Sequence, residues 1–283
     1  MPTLSYLPNY LIGAFIFVFG LLIGSFLNVV VYRLPLGQSI VFPGSHCPSC
    51  ETEIKAYDNI PVFSYLILGG RCRHCRILIS PIYPMVELLV GGLYLLLFIL
   101  DGLTAVFLAN VVFVSFIVPL FFIDLKHKLL LNVITYPGIV LGFGLRVLAP
   151  DGYVIDSTRA IFQIHAWPNW SVSLIGSLFG AVVGGGTFWL IRELYYRVRH
   201  VEGMGLGDVK MMLMVGAFLG WQLTVLTMFA ASLGGSVIGL LIMGLKRSNL
   251  KLEIPFGVFL GPAAIFALLF GESIIRWYIG LLR

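Results

Sequence analysis

The sequence predicts an all-α polytopic membrane protein with about eight transmembrane helices and one small cytoplasmic loop domain. Of its 283 residues, 59% are hydrophobic and 11% charged, against roughly 25% charged in an ordinary soluble domain. The apolar residues also gather into runs close to the length, about 20 residues, that crosses the hydrocarbon of a bilayer. Finally, the basic residues fall in short segments between these runs, so the net charge of +5 reads as topology rather than as a nucleic-acid surface.

Spans are expected at about 10–31, 84–100, 103–123, 129–149, 170–191, 209–221, 222–245 and 257–279. The first run is long enough to span and lacks a small-residue cleavage site, so no removable signal peptide is expected. The last break but one rests on Gly220-Trp221-Gln222, where Trp221 suits an interface. With the N-terminus outside, the inner segments hold Arg33, Lys55, Arg71, Arg73, Arg76, Lys126, Lys128, Arg192, Arg197, Arg199, Lys210, Lys246, Arg247 and Lys251. Arg146, Arg159, Arg276 and Arg283 remain outside. The positive-inside rule therefore orients the bundle. Glycine is dense in the spans, as at Gly184-Gly185-Gly186 and Gly234-Gly235, which points to close helix packing.

Two polar segments interrupt the bundle. The segment 150–168 lies outside and mixes polar residues with Tyr153, Phe162 and Trp167, as an interfacial loop or short surface helix does. Segment 34–81 faces the cytoplasm and is too short to build much of a core without a staple. Cys47-Pro48-Ser49-Cys50 and Cys72-Arg73-His74-Cys75 supply it, and they hold every cysteine of the chain. Two C-x-x-C pairs at this separation match a four-thiolate zinc site, each pair turning both sulfurs toward one tetrahedral ion. Two disulfides are the rival reading, disfavoured in a reducing compartment. Four thiolates close the site, so His46 and His74 are neighbours and the zinc is structural.

The stretch Gly203-Met204-Gly205-Leu206-Gly207-Asp208-Val209-Lys210 puts a carboxylate behind alternating glycines at the mouth of an apolar segment. Asp208 as a helix N-cap is the plain reading. An acid at the edge of a span is costly, however, and glycine admits a close neighbour. A phosphate cradle does not fit, because neither G-x-G-x-x-G nor a following Lys-Ser/Thr is present. Asp124, in Phe122-Ile123-Asp124-Leu125-Lys126-His127-Lys128, ends the third span on the same side. Taken alone it reads as an interfacial residue beside two lysines. Paired, two carboxylates held close share a proton, and such a pair activates water and protonates an amide leaving group. Asp101, Asp151 and Asp156 fall on the outer side and are expected to take no part.

With these residues in view, the chain resembles the bifunctional type IV prepilin leader peptidases, membrane aspartic proteases of the Gly-x-Gly-Asp type. The resemblance runs almost end to end. It includes Gly24-Ser25-Phe26-Leu27-Asn28-Val29-Val30-Val31-Tyr32-Arg33-Leu34-Pro35, both cysteine pairs around Asp58-Asn59-Ile60-Pro61 and Ser64-Tyr65-Leu66, Tyr83-Pro84-Met85-Val86-Glu87, and Ile254-Pro255-Phe256-Gly257. It implies that Asp124 and Asp208 are the catalytic aspartates, with Gly205, Gly207, Lys210 and Glu87 in support. The substrates implied are type IV prepilins or pseudopilins, which serve type IV pili or type II secretion. Their basic leader is cut off and the new N-terminus is methylated with S-adenosylmethionine. Methylation rests on the resemblance alone, no nucleotide fingerprint being present, and the cysteine loop is its associated region. Glu87 pairing with a loop arginine is its plainer role.

The domain reading that follows is 1–33 as first transmembrane helix, 34–81 as the zinc-binding loop domain, and 82–283 as the transmembrane peptidase domain. The setting is the bacterial cytoplasmic (inner) membrane, with lipid and pilin-like substrates as partners and no nucleic acid. Two departures stand out: Ile82 where arginine is usual before Tyr-Pro, and Asn132 where a further aspartate is common. Ile82 keeps open a leader peptidase without methyltransferase activity. A non-enzymatic adaptor with a zinc loop is the alternative of another class, and it leaves Gly205 and Gly207 beside Asp208 without a purpose.

Overall fold

The computed structural model describes residues 9–201, 203–246 and 255–281. Arg247, Lys251, Ile254 and Arg283, used above for topology or motif, lie outside them. Two compact units divide the chain, residues 1–103 and 104–283.

In the first unit, α1 (Asn9–Arg33) packs on α3 (Ile82–Asp101), with the short α2 (Phe63–Ile67) in the polar segment between. Their crossing depends on small residues spaced four apart. A Cβ at Gly20 would stand 2.7 Å from the Gly91 Cα, and one at Gly24 would stand 2.7 Å from the Glu87 Cα. Lipid gives helices no hydrophobic reason to associate, so close backbone contact of this kind supplies the attraction. Asn28 adds a hydrogen bond from Nδ2 to the Tyr83 carbonyl at 3.0 Å. At the end of α1 the Arg33 guanidinium is buried and donates to the carbonyls of Ser39, Pro43 and Gly44, at 3.1, 2.8 and 3.0 Å. One side chain thereby ties the start of the cysteine loop to the helix.

The second unit comprises α4 (Ala105–His127), α5 (Asn132–Leu148), α6 (Gly152–Phe162), α7 (Asn169–Arg199), α8 (Leu206–Lys246) and α9 (Gly257–Leu281). A glycine ridge, Gly176, Gly180 and Gly184, runs along α7. Gly180 faces the Gly216 carbonyl and the Gly220 backbone of α8, and Gly184 faces the Met212 carbonyl. The expected glycine packing is thus met chiefly by a ridge with period four. The break foreseen between 209–221 and 222–245 falls at Gly220, where Leu206–Lys246 leaves helical geometry and two helices meet at a kink; its φ of 73° and ψ of 178° are open to glycine and costly for other residues. The kink frees carbonyls that need partners. Arg146 Nε donates to the Phe218 carbonyl at 2.5 Å, and Thr224 Oγ1 donates to the Gly220 carbonyl at 2.6 Å.

Arg146, assigned above to the outside, is fully buried, with Asp151 accepting from it at 3.0 Å. Asp151 also caps α6 by accepting from the backbone N–H of Tyr153 at 2.9 Å. The segment 150–168 therefore contains the short helix expected of it. Six helices among the described residues are long and apolar enough to cross a membrane, and a seventh span is made if α5 and α6, bent by 87°, count as one. With large apolar side chains such as Phe15, Val140, Val182 and Phe229 facing outward, this is an integral membrane protein.

Candidate active site and metal centre

The two C-x-x-C turns are built alike. Cys47 N donates to the Thr52 carbonyl and Glu51 N to the Cys47 carbonyl, while Cys72 N donates to the Ile77 carbonyl and Arg76 N to the Cys72 carbonyl. Isolated antiparallel bridges, His46 with Glu53 and Arg71 with Leu78, close each turn. The residue after each second cysteine, Glu51 or Arg76, has a left-handed backbone, φ 56° and 59°. Repeating one turn brings all four sulfurs within 4.8 Å of one another, and no disulfide joins them. Cys47 Sγ and Cys75 Sγ stand 3.7 Å apart, matching the edge of about 3.8 Å that a tetrahedron with Zn–S bonds of about 2.3 Å requires. The donor set therefore fits zinc.

The cluster's protonation is uneven. The Thr52 hydroxyl lowers the Cys50 thiol to about 6, and the backbone N–H groups of Cys75 and His74 lower Cys72. The Ile77 N–H pulls Cys75 down, but burial and the neighbouring sulfurs outweigh it and push Cys75 up to about 11. Four thiolates at this spacing need a cation. Beside them Arg73 makes a bidentate pair with Asp58, at 2.6 and 2.8 Å, and covers the Tyr57 ring at 5.6 Å. This pair docks the segment between the turns onto the second turn.

Glu87 is 8% exposed on α3. Its partners differ from the loop arginine considered above: Oε2 accepts from the Val62 N–H at 2.7 Å, and Ser25 of α1 hydrogen-bonds to the carboxylate. Val62 has φ 61° and ψ −49°, with Phe63 N donating to the Pro61 carbonyl at 2.5 Å. That is a γ-turn of the rare positive-φ kind, strained for a β-branched residue. Neither Ser25 nor Val62 carried a signal of its own in the sequence.

In the second unit, Asp124 occupies the last turn of α4, where the helix dipole disfavours a negative charge. It is 3% exposed, so it is no interfacial residue. The Val258 N–H of α9 donates to it, and its Oδ2 is buried without a hydrogen-bond partner. Asp208 is the third residue of α8, so it is not the N-cap. Its carboxylate reaches back to the Gly205 N–H, as an acid does at this position. Asp208 and Asp124 are close enough for the charge of one to act on the other.

Leu130 packs against two glycines, one on either side of the pair: Gly207 beside Asp208 and Gly257 against Asp124. A Cβ on Gly207 would meet the Leu130 Cβ at 2.7 Å, and one on Gly257 would meet both Asp124 Oδ2 at 2.5 Å and Leu130 Cδ1 at 3.3 Å. At Gly205 the same atom would touch Asp208 Oδ2 at an ordinary 3.6 Å, so Gly205 serves through its N–H and not through a lack of bulk. Lys210 donates to Asn132 Oδ1 at 2.8 Å and lies 5.0 Å over the Tyr136 ring. The departure at Asn132 is thereby used to lock α8 to α5. Ile82 is exposed at the start of α3. Gly257 and Leu130 are the residues whose part the sequence did not disclose, although Gly257 belongs to a motif noted there.

Two carboxylates on separate helices of a lipid-embedded bundle, one of them left with an unsatisfied oxygen, are the arrangement that a membrane hydrolase of the two-aspartate type requires. Comparison with known proteins leads to the same class. Residues 111–240 match the type IV leader peptidase family and residues 18–100 match the bacterial peptidase A24 N-terminal domain. A Pseudomonas aeruginosa protein called prepilin leader peptidase/N-methyltransferase is 35% identical over 99% of this chain and 98% of its own length. Proteins of the same name from Myxococcus xanthus (39% identical, covering 85% of this chain and 67% of the relative) and Aeromonas salmonicida (33%, 95% and 94%) are also similar. No solved structure matches. The chain belongs to the type IV leader peptidase family, and it is an enzyme with peptidase and methyltransferase roles.

Proposed function

We propose that this enzyme removes the leader of type IV prepilins or pseudopilins and then N-methylates the exposed N-terminus with S-adenosylmethionine. The observation that carries the reading is the buried, unpartnered Oδ2 of Asp124 beside the Asp208 carboxylate. In a pair that shares one proton, the ionised acid takes a proton from water while the protonated acid donates to the leaving amide. Asp124 and Asp208 are the catalytic residues, Gly205 orients Asp208 through its N–H, and Lys210 holds the start of α8. S-adenosylmethionine, when bound, supplies an electrophilic methyl group.

Cys47, Cys50, Cys72 and Cys75 hold a structural zinc that folds segment 34–81, which serves methylation together with the start of α3, while the other helices of 82–283 serve proteolysis. The excess of Lys and Arg on one side supports a bacterial cytoplasmic (inner) membrane setting with both sites at the cytoplasmic face. Lipid surrounds the helices and pilin-like precursors are the substrates, with no nucleic acid as partner. Mass spectrometry of a prepilin incubated with the enzyme and S-adenosylmethionine tests the reading. Loss of the leader followed by a gain of one methyl group is expected. An intact precursor in the presence of folded enzyme defeats it.

A further inference from the structure

The first unit contains a cavity of about 450 Å³ between α1, α3 and the cysteine loop. That is within the range, roughly 300–1,000 Å³, of small-molecule sites. Three tyrosines, Tyr32, Tyr65 and Tyr83, contribute to its wall together with Glu87. Tyr65 is held in place, its hydroxyl donating to the Ile79 carbonyl at 3.4 Å and its ring packed over Gly70, which leaves no room there for a side chain.

The Glu87 carboxylate is the unusual feature of this wall. Its partners, the Val62 N–H and Ser25, are both neutral, and no cation pairs with it among the described residues. Holding it there also requires the strained backbone of Val62. A buried charge without a counter-charge is expensive, and strain of this kind persists where the surrounding structure imposes it for a purpose. The wall also holds Glu53, Asp58 paired with Arg73, and Arg33 bonded to loop carbonyls; tyrosines beside the buried carboxylate of Glu87 suit a soft, poorly hydrated cation attached to a flat ring system. A phosphate anion placed against the Glu87 carboxylate would be repelled by it.

We propose that this cavity is the binding site for the methyl donor, with the sulfonium of S-adenosylmethionine facing Glu87 and the adenine against the tyrosine rings. The inference rests on the methyltransferase reading above and adds the site and its charge logic. During transfer the lone pair of the peptide amine forms the N–C bond as the methyl C–S bond breaks. The bonding pair stays on sulfur, and one proton leaves the nitrogen for solvent. The product is a neutral thioether, so Glu87 distinguishes donor from spent product.

The test is equilibrium binding of S-adenosylmethionine and of S-adenosylhomocysteine to the full chain in detergent. The unmodified protein should prefer the sulfonium by roughly tenfold. Glu87→Gln, which retains an acceptor for the Val62 N–H, should erase that preference while changing the thioether affinity by no more than about twofold. Tyr65→Ala should weaken both ligands together. An undiminished preference in Glu87→Gln overturns the proposal. Should that variant fail to fold, as judged by its zinc content and elution profile, a photoreactive azido-adenosyl analogue is crosslinked to the unmodified protein. Label within residues 25–87 is then expected, and label elsewhere overturns the proposal. Methyl transfer with label outside the cavity defeats this inference alone, whereas an unmodified protein that neither binds the donor nor methylates a cleaved substrate defeats the methyltransferase reading itself.

Discussion

Gly257 opens α9 directly against Asp124, so close that a methyl group on its Cα would sit 2.5 Å from the carboxylate Oδ2. The space beside that oxygen exists because residue 257 has no side chain. Gly257→Ala should therefore lower leader cleavage by about 10²-fold through displacement of the carboxylate, as small misplacements do. Gly207→Ala should act alike through Leu130, whereas Gly205→Ala, with room for its methyl, should cost much less. Cleavage rates of the three purified variants decide this, and equal loss in all three would count against the packing argument.

Asp124→Asn and Asp208→Asn should each reduce cleavage by roughly 10³-fold or more, and the double variant should be no worse than either single one, because the two acids act as a unit. Single-turnover assays on folded protein would reveal substantial residual cleavage by either variant, which the paired mechanism does not allow.

The purified protein should contain about one equivalent of zinc, lost on replacing both cysteines of either turn with serine. Elemental analysis measures it, and a metal-free protein of full activity would remove the zinc from the account. The neighbouring Asp58 is held below its ordinary 3.8 by hydrogen bonds from Arg73. A depressed acid of this kind contributes its stabilisation fully above its unfolded value and loses it as pH falls through the lower folded value. Asp58 therefore does not titrate above pH 5, so Asp58→Asn should weaken zinc retention equally at every pH above 5 and leave the shape of its pH dependence there unchanged.

Asp151, expected from topology to be dispensable, caps α6 and balances buried Arg146. Asp151→Ala should lower stability by about 2 kcal/mol, from loss of a cap and of half of a largely buried pair. Exposed Asp156→Asn should stay within about 0.5 kcal/mol. Thermal unfolding in detergent compares them, and equal midpoints would contradict the role given to Asp151.

The sequence by itself determined the environment, most of the helices and the four cysteines that cluster, and it singled out the two acids. Each of those is written in local chemistry: apolar run length, a three-residue cysteine spacing, a carboxylate where a span ends. Span boundaries at 84–100 and 257–279 agree closely with Ile82–Asp101 and Gly257–Leu281 for that reason. Only the tertiary structure decided which groups meet across helices. That Gly257 shelters Asp124, that Leu130 wedges against Gly207, that Glu87 holds Val62 and not an arginine, and that Arg146 is buried to satisfy the Gly220 kink are all long-range pairings. Sequence pattern reports the face a residue presents, but a desolvated hydrogen bond or a missing Cβ takes its meaning from a neighbour that folding alone brings near.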